Sequence, residues 1–348
     1  MKKLAALLLS ALVLLARPAL AQIDTTGGKY YQPLYPGLSI ARGVPFGSAV
    51  NAQGNPQTLL MDVYRPAAGP ATPQPLLILA HGGAFLFGAR ADYDVSELCT
   101  RFARLGYVTV SIDYRLGNFA TFGSAAVVVR AVHDMRAAVR FFRQDAATVN
   151  QYNVEPDYIF VGGSSAGAIT ALHAAFLDKD TELTTLNAGV PGGLEGNSGN
   201  PGYSSASRAA INLCGALGNP TWLEAGSQPF VSLHGTNDPI VPYGAQPLLS
   251  LYGSSVLKPR ADAVGVFNAF YSFKGAGHVP YNGTTAAELA YMDTTFRFVR
   301  DFLRPLLAAP AAPLPVTLTR FEAGRQGPDA RLSWTAATEQ NSVGYEVQ

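Results

Sequence analysis

Between about residues 58 and 306 the chain alternates short apolar runs with segments of helical spacing. Residues 76–80 (LLILA) form an unbroken apolar run between Pro75 and His81-Gly82-Gly83. A helical pattern over 95–105 stops at Gly106, and 107–112 (YVTVSI) is the next apolar run. Residues 127–142 have the spacing of a long helix whose polar positions include Arg130, Arg136, Arg140 and Arg143. Residues 158–161 are predicted as a strand and 166–177 as a helix. Further strands are predicted at 209–213, 230–233 and 266–273, and a last helix over 289–307. Buried strands that alternate with helices imply a mostly parallel central sheet with helices on both faces. In such α/β folds the active site lies beyond the carboxyl ends of the strands. Two stretches break the rhythm. Residues 189–207 (GVPGGLEGNSGNPGYSSAS) are expected to form a long surface lobe beside the site. Residues 307–315 (LAAPAAPLP) read as a stiff linker.

The first residues have another pattern. Lys2 and Lys3 precede an uncharged apolar run over 4–16, then Arg17-Pro18 and Ala19-Leu20-Ala21. That is the layout of a secretory signal peptide over 1–21, cleaved before Gln22. The run is shorter than the roughly 18–20 residues that span a bilayer, so export is expected in place of stable membrane insertion. Composition agrees with a globular chain: 48% of the residues are hydrophobic, 14% are charged, and the net charge is +1. This balance argues against disorder and supplies no electrostatic reason to bind nucleic acid. The two cysteines, Cys99 and Cys214, are too few for a disulfide framework or a four-thiolate zinc site, and are expected as small buried hydrophobes.

Candidate chemistry sits where the strands end. The strand over 158–161 runs into Gly162-Gly163-Ser164-Ser165-Ala166-Gly167, which fits G-x-S-x-G with Ser165 as nucleophile. A sharp strand-to-helix turn demands small flanking residues, and the following helix N-terminus favours developing negative charge. The chain has five histidines. His133 and His173 fall inside helical segments, His81 opens a turn and His234 closes a strand. His278 follows the last strand and lies C-terminal to Ser165, as the order Ser…Asp…His requires, so it is the candidate base. Asp238, in HGTNDP after the strand over 230–233, is the candidate orienting carboxylate. The backbone amides of Gly82, Gly83 and Ala166 are candidate oxyanion donors. Phe85, Phe87, Val241, Val279 and Tyr281 flank these motifs and are candidate substrate-binding residues. No ligand cluster implies a metal or cofactor.

Taken together, HGGAF, GYVTVSIDYRL, GGSSAG, HGTNDP and GAGH resemble the α/β-hydrolase superfamily, and within it the carboxylesterase and hormone-sensitive-lipase-like branch that includes bacterial feruloyl and acetyl esterases. The resemblance covers about 58–306. It implies an α/β-hydrolase fold, a serine esterase with Ser165, Asp238 and His278 as triad, and oxyanion donors at Gly82, Gly83 and Ala166. Ala84 departs from it, since many relatives carry a third glycine there. The implied partner is a small-molecule or polymer-borne ester. Amide cleavage on the same triad and a non-catalytic binding module are the alternatives. Strand-like alternation over 316–319, 331–334 and 344–348 resembles a fibronectin-like module, expected as a truncated β-sandwich. The expected layout is a signal peptide over 1–21, a catalytic domain over 22–306, a linker over 307–315 and a partial sandwich over 316–348.

Overall fold

The computed structural model describes residues 23–308 except Phe122, and the backbone of residues 318–326 and 329–336. The signal-peptide reading, the linker beyond Ala308 and the strand expected over 344–348 lie outside the described residues.

The strands are β1 (Leu38–Val50), β2 (Pro56–Pro66), β3 (Gln74–Ala80), β4 (Val108–Ile112), β5 (Val154–Ser164), β6 (Ala209–Leu213), β7 (Ala216–Leu217), β8 (Phe230–Gly235), β9 (Ala245–Gln246), β10 (Leu251–Gly253) and β11 (Asn268–Phe273). The α-helices are α1 (Tyr93–Leu105), α2 (Ala125–Ala147), α3 (Ala166–Phe176), α4 (Asp180–Leu186), α5 (Ser254–Ala263) and α6 (Ala286–Ala308). Eight strands form one sheet in the order β1-β2-β4-β3-β5-β6-β8-β11. It is antiparallel at β1/β2 and β2/β4 and parallel from β4 to β11. The non-consecutive order shows that the parallel strands are joined by crossovers, which the helices supply. A pair over Leu318–Gln326 and Asp329–Ala336 is antiparallel.

The continuous apolar runs resolve into two faces because strand side chains alternate. Leu76, Ile78 and Ala80 join one core, with Val108, Val110, Ile159 and Val161. Leu77 and Leu79 join the other, with Tyr158, Phe160, Ile211 and Leu213. Helices α2 and α3 cover the first face, and α1 and α6 the second. Helix α1 turns Val95, Leu98, Cys99 and Phe102 inward at i, i+3 and i+4 spacing, and ends where Gly106 takes the left-handed conformation at φ 112°. Each buried side chain of this size contributes roughly 1.5–3 kcal/mol. Cys99 and Cys214 are both free thiols buried in the core. No described helix is long and apolar enough to cross a membrane.

The segment over 189–207 does not flank the cleft that holds Ser165, which no residue of the segment lines. It packs along α2 instead. Arg136, Arg140 and Arg143 of α2 are the reason, because they are buried instead of facing solvent. Arg136 donates to the Leu194 carbonyl, Arg140 to the Glu195 and Gly199 carbonyls, and Arg143 to the Ser204 carbonyl. Each is 3–4% exposed, so the guanidinium groups satisfy the carbonyls of an otherwise irregular loop.

Two buried histidines give this face a pH dependence. His133 Nε2 donates to the Gly193 carbonyl at 2.8 Å, and His173 Nδ1 to the Ile169 carbonyl at 2.7 Å. Burial disfavours the charged ring and lowers both pKa values to about 4. An unfolded histidine protonates near 6.5, so the unfolded chain binds protons that the fold excludes. Stability should therefore fall by a few kcal/mol in all as pH drops from about 6.5 towards 4. Melting temperatures at pH 7, 6 and 5 check this, and a constant value would contradict it.

Candidate functional site

The three candidate triad residues come from separate strand ends and meet. Ser165 follows β5 as the cap of α3, with φ 54° and ψ −116°, a strained geometry for a side chain with a Cβ. The turn is this tight because backbone crosses backbone. A Cβ on Gly167 would lie 2.0 Å from the Ala80 carbonyl oxygen, and one on Gly163 would lie 2.4 Å from the Gly167 carbonyl carbon. Glycine at both positions is thus a packing requirement. The neighbouring Ser164 is fully buried and shares a 2.9 Å hydrogen bond with the buried Tyr281 hydroxyl.

His278 Nε2 lies 2.7 Å from Ser165 Oγ, and its Nδ1 lies 2.7 Å from Asp238 Oδ2. The carboxylate accepts on Nδ1, so Nδ1 carries the proton and Nε2 is left to accept from the serine hydroxyl. Asp238 Oδ1 accepts the amides of Ile240 and Val241 at 2.9 and 3.0 Å. Burial alone would raise the Asp238 pKa, but hydrogen bonds from His234 and His278 and from the Ile240 amide outweigh it. The group is held well below the usual carboxylate range.

Gly82 and Gly83 face Ser165 across the end of β3. The ideal Cβ of Gly82 would stand 3.3 Å from the Ser165 Cβ. Among the described residues, neither amide donates to a protein acceptor, while Ala166 opens α3 directly after Ser165. Tyr114 fixes this loop from below. Its hydroxyl donates to the His81 carbonyl at 3.0 Å and lies 3.3 Å from that of Gly82, and its ring stacks on His81 at 4.4 Å. Ala84 and Phe85 follow in the left-handed region at φ 54° and 61°. The alanine thus occupies the conformation for which a glycine would be unstrained.

The cleft has a volume of about 570 Å³. Of the residues expected to line it, Phe87 and Val279 do. Phe85, Val241 and Tyr281 do not, because all three are buried in the core. Phe85 packs edge-on against Tyr114, and Val241 is spent on holding Asp238 through its amide. The exposed Phe87 ring instead meets Phe119, which is 81% exposed, at 6.2 Å. Sequence reasoning missed Asp92, Asp94, Asn282 and Glu288, which also line the cleft. Burial pushes the Asp94 carboxyl up, against hydrogen bonds from Ser164 and the Val95 amide. The only signal for Asp92 and Asp94 was their place at the start of α1, where acidic residues are ordinary.

Comparison with known proteins fits this geometry. A family model described as BD-FAE matches residues 61–212, which include the Gly82–Gly83 turn and Ser165 but neither Asp238 nor His278. Lipase 1 of Geotrichum candidum is 30% identical over 127 residues, covering 34% of this chain and 22% of the lipase. Esterase LipQ of Mycobacterium tuberculosis is 29% identical over 206 residues, covering 53% of this chain and 47% of the esterase. The chain thus spans less than half the length of these relatives. In three dimensions it resembles Thermogutta terrifontis esterase 2 phosphorylated by paraoxon. The TM-score is 0.59 at 24% identity, over 80% of this chain and 96% of the other. The order of the sheet, the turn at Ser165 and these likenesses agree on an α/β-hydrolase fold, within which residues 61–212 match the BD-FAE family.

Proposed function

We propose that the protein hydrolyses carboxylic esters through an acyl-enzyme. Ser165 Oγ attacks the ester carbonyl carbon while its proton passes to His278 Nε2. The carbonyl oxygen becomes an oxyanion bound by the amides of Gly82, Gly83 and Ala166. The alcohol leaves with the proton from His278, and water then repeats the sequence on the acyl group. Asp238 orients His278 and stabilises its protonated form. The observation that carries the reading is the continuous path of 2.7 Å contacts from Ser165 through His278 to Asp238, at a strained strand-to-helix turn. Lipase and esterase relatives support the ester class.

The proposed substrates carry short acyl or aryl groups, including feruloyl, on a small or polymer-borne alcohol. Export after cleavage near Ala21 belongs to the same proposal. So does the layout of a hydrolase unit over 22–306, a linker over 307–315 and a sandwich module over 316–348.

A fluorophosphonate should add covalently to Ser165, as read by mass spectrometry of the labelled peptide. In parallel, acetyl, longer-chain, feruloyl and xylan acetyl esters should turn over faster than an aminoacyl anilide. A chain that takes no label at Ser165 is a binding module, and faster anilide cleavage makes it an amidase.

A further inference from the structure

The carboxylate of Asp238 has a second histidine on it. His234 ends β8 inside the protein, fully buried, with Nε2 3.2 Å from Asp238 Oδ2 and 3.2 Å from the Val241 carbonyl oxygen. Both neighbours of Nε2 are acceptors, so Nε2 carries the proton and is shared between them. The other ring nitrogen, Nδ1, lies 3.0 Å from Ser254 Oγ. That hydroxyl in turn accepts from the Asn212 amide nitrogen at 3.1 Å, which leaves its own proton for Nδ1. Asn212 is fixed in sense because its carbonyl oxygen accepts the Gly215 amide at 2.9 Å. The donors therefore run one way, from Asn212 on β6 through Ser254 on α5 to His234 and then to Asp238. All of these side chains except Asp238 belong to residues at most 1% exposed, and the Asp238 side chain is itself fully covered.

We propose that His234 is a positioning residue: held as its Nε2–H tautomer by Ser254 and Asn212, it fixes the rotamer of Asp238 and closes the 238–241 turn, so that Oδ2 is presented to His278 Nδ1. The inference rests on the triad reading above. Asp238 Oδ1 is already held by the Ile240 and Val241 amides, and His278 lies on the cleft side. His234 supplies the only other contact on Oδ2 among the described residues. Its bond to the Val241 carbonyl secures the same backbone unit whose amide grips Oδ1. A bare ring of the same size would leave the carboxylate free to tilt, and the productive His278 orientation would be populated less.

The test uses the full chain, with kcat and KM for p-nitrophenyl acetate and melting temperature measured for His234→Phe, His234→Gln and Ser254→Ala. Glutamine places an amide N–H near the Nε2 position and a carbonyl near Ser254. His234→Phe should lose about tenfold in kcat with KM within twofold, the low end for removing a hydrogen bond to a charged group. His234→Gln should recover most of that loss, and Ser254→Ala should lose a few-fold. A folded His234→Phe with wild-type kcat overturns the inference, as does an equal loss in Phe and Gln. If His234→Phe does not fold, wild-type kcat in Ser254→Ala overturns it. Ser165→Ala run alongside separates the two readings: if it is inactive while the His234 and Ser254 variants are unaffected, only the present inference fails. Activity in Ser165→Ala removes the triad reading itself.

Discussion

Ser165→Ala should lower kcat for p-nitrophenyl acetate by about a millionfold while leaving the protein folded. The size follows from how a triad works. Its members act as a unit, and removing the nucleophile costs about as much as removing all three. What survives is the roughly 10³–10⁴-fold advantage over water that a cleft and its oxyanion amides retain on their own. The fold should not notice. Among the described residues Ser165 Oγ has one partner, His278 Nε2. The backbone bonds of the turn, from the Ser165 amide to the Leu213 carbonyl and from the Ile169 amide to the Ser165 carbonyl, do not involve the side chain. Alanine also keeps the Cβ, so the strain at φ 54° is unchanged. Steady-state kinetics with a melting curve check both halves. Activity within tenfold of wild type would sink the assignment. Asp238→Asn should cost about 10⁴-fold, because an amide that donates to His278 selects the wrong tautomer.

Arg115→Met should be the most damaging single change to stability away from the site. Asp134 is fully buried on α2, and Arg115 is 3% exposed. Arg115 Nε lies 2.9 and 3.0 Å from the two carboxylate oxygens, and Nη2 2.7 Å from one of them. The same guanidinium reaches the Val50 carbonyl at the end of β1, the Arg130 carbonyl on α2 and Ser198 in the long segment. Methionine fills similar volume but leaves Asp134 with the Arg115 amide and the Ser198 hydroxyl alone. Breaking a buried pair on one side costs about 3–5 kcal/mol, a large share of the roughly 5–15 kcal/mol that holds a domain together. The melting temperature should fall by about 10 °C. Arg115→Lys should rescue little, since one ammonium cannot copy a planar fork of donors. The double variant Arg115→Met/Asp134→Leu should recover much of the loss, because it removes both charges. A double variant as unstable as the single one would assign the effect to packing.

Much of this architecture was legible in the residues because it rests on local rules. The run over 76–80 is apolar at every position, which is what a strand buried on both faces requires, and it became β3 at the centre of the sheet. The spacing over 95–105 and its glycine stop became α1. The first two strands were not legible. β1 is mostly exposed, and its register with β2 shifts between Ala41 and Val44 and again between Pro45 and Gly47, so its side chains keep no steady alternation. Helix α5 was hidden by Pro259 inside it, and β7, β9 and β10 are too short to show a period.

By itself the sequence determined the class of the fold, the turn at Ser165 and the order in which Ser165, Asp238 and His278 occur. Each of these depends on short-range constraints: side-chain alternation, the space a glycine leaves, and the chain direction. Only the tertiary structure decided which groups touch. Val241 and Phe85 lie beside the motifs yet point into the core, whereas Asp94 and Glu288, from α1 and α6, line the cleft. The α2 arginines look like a solvent face until the segment over 189–207 is laid on them. His234 looks like the end of a strand until α5 and β6 bring Ser254 and Asn212 to it. A side chain's partner is set by the path of the whole chain through space, and residues far apart in sequence become neighbours only after the crossovers have closed the sheet.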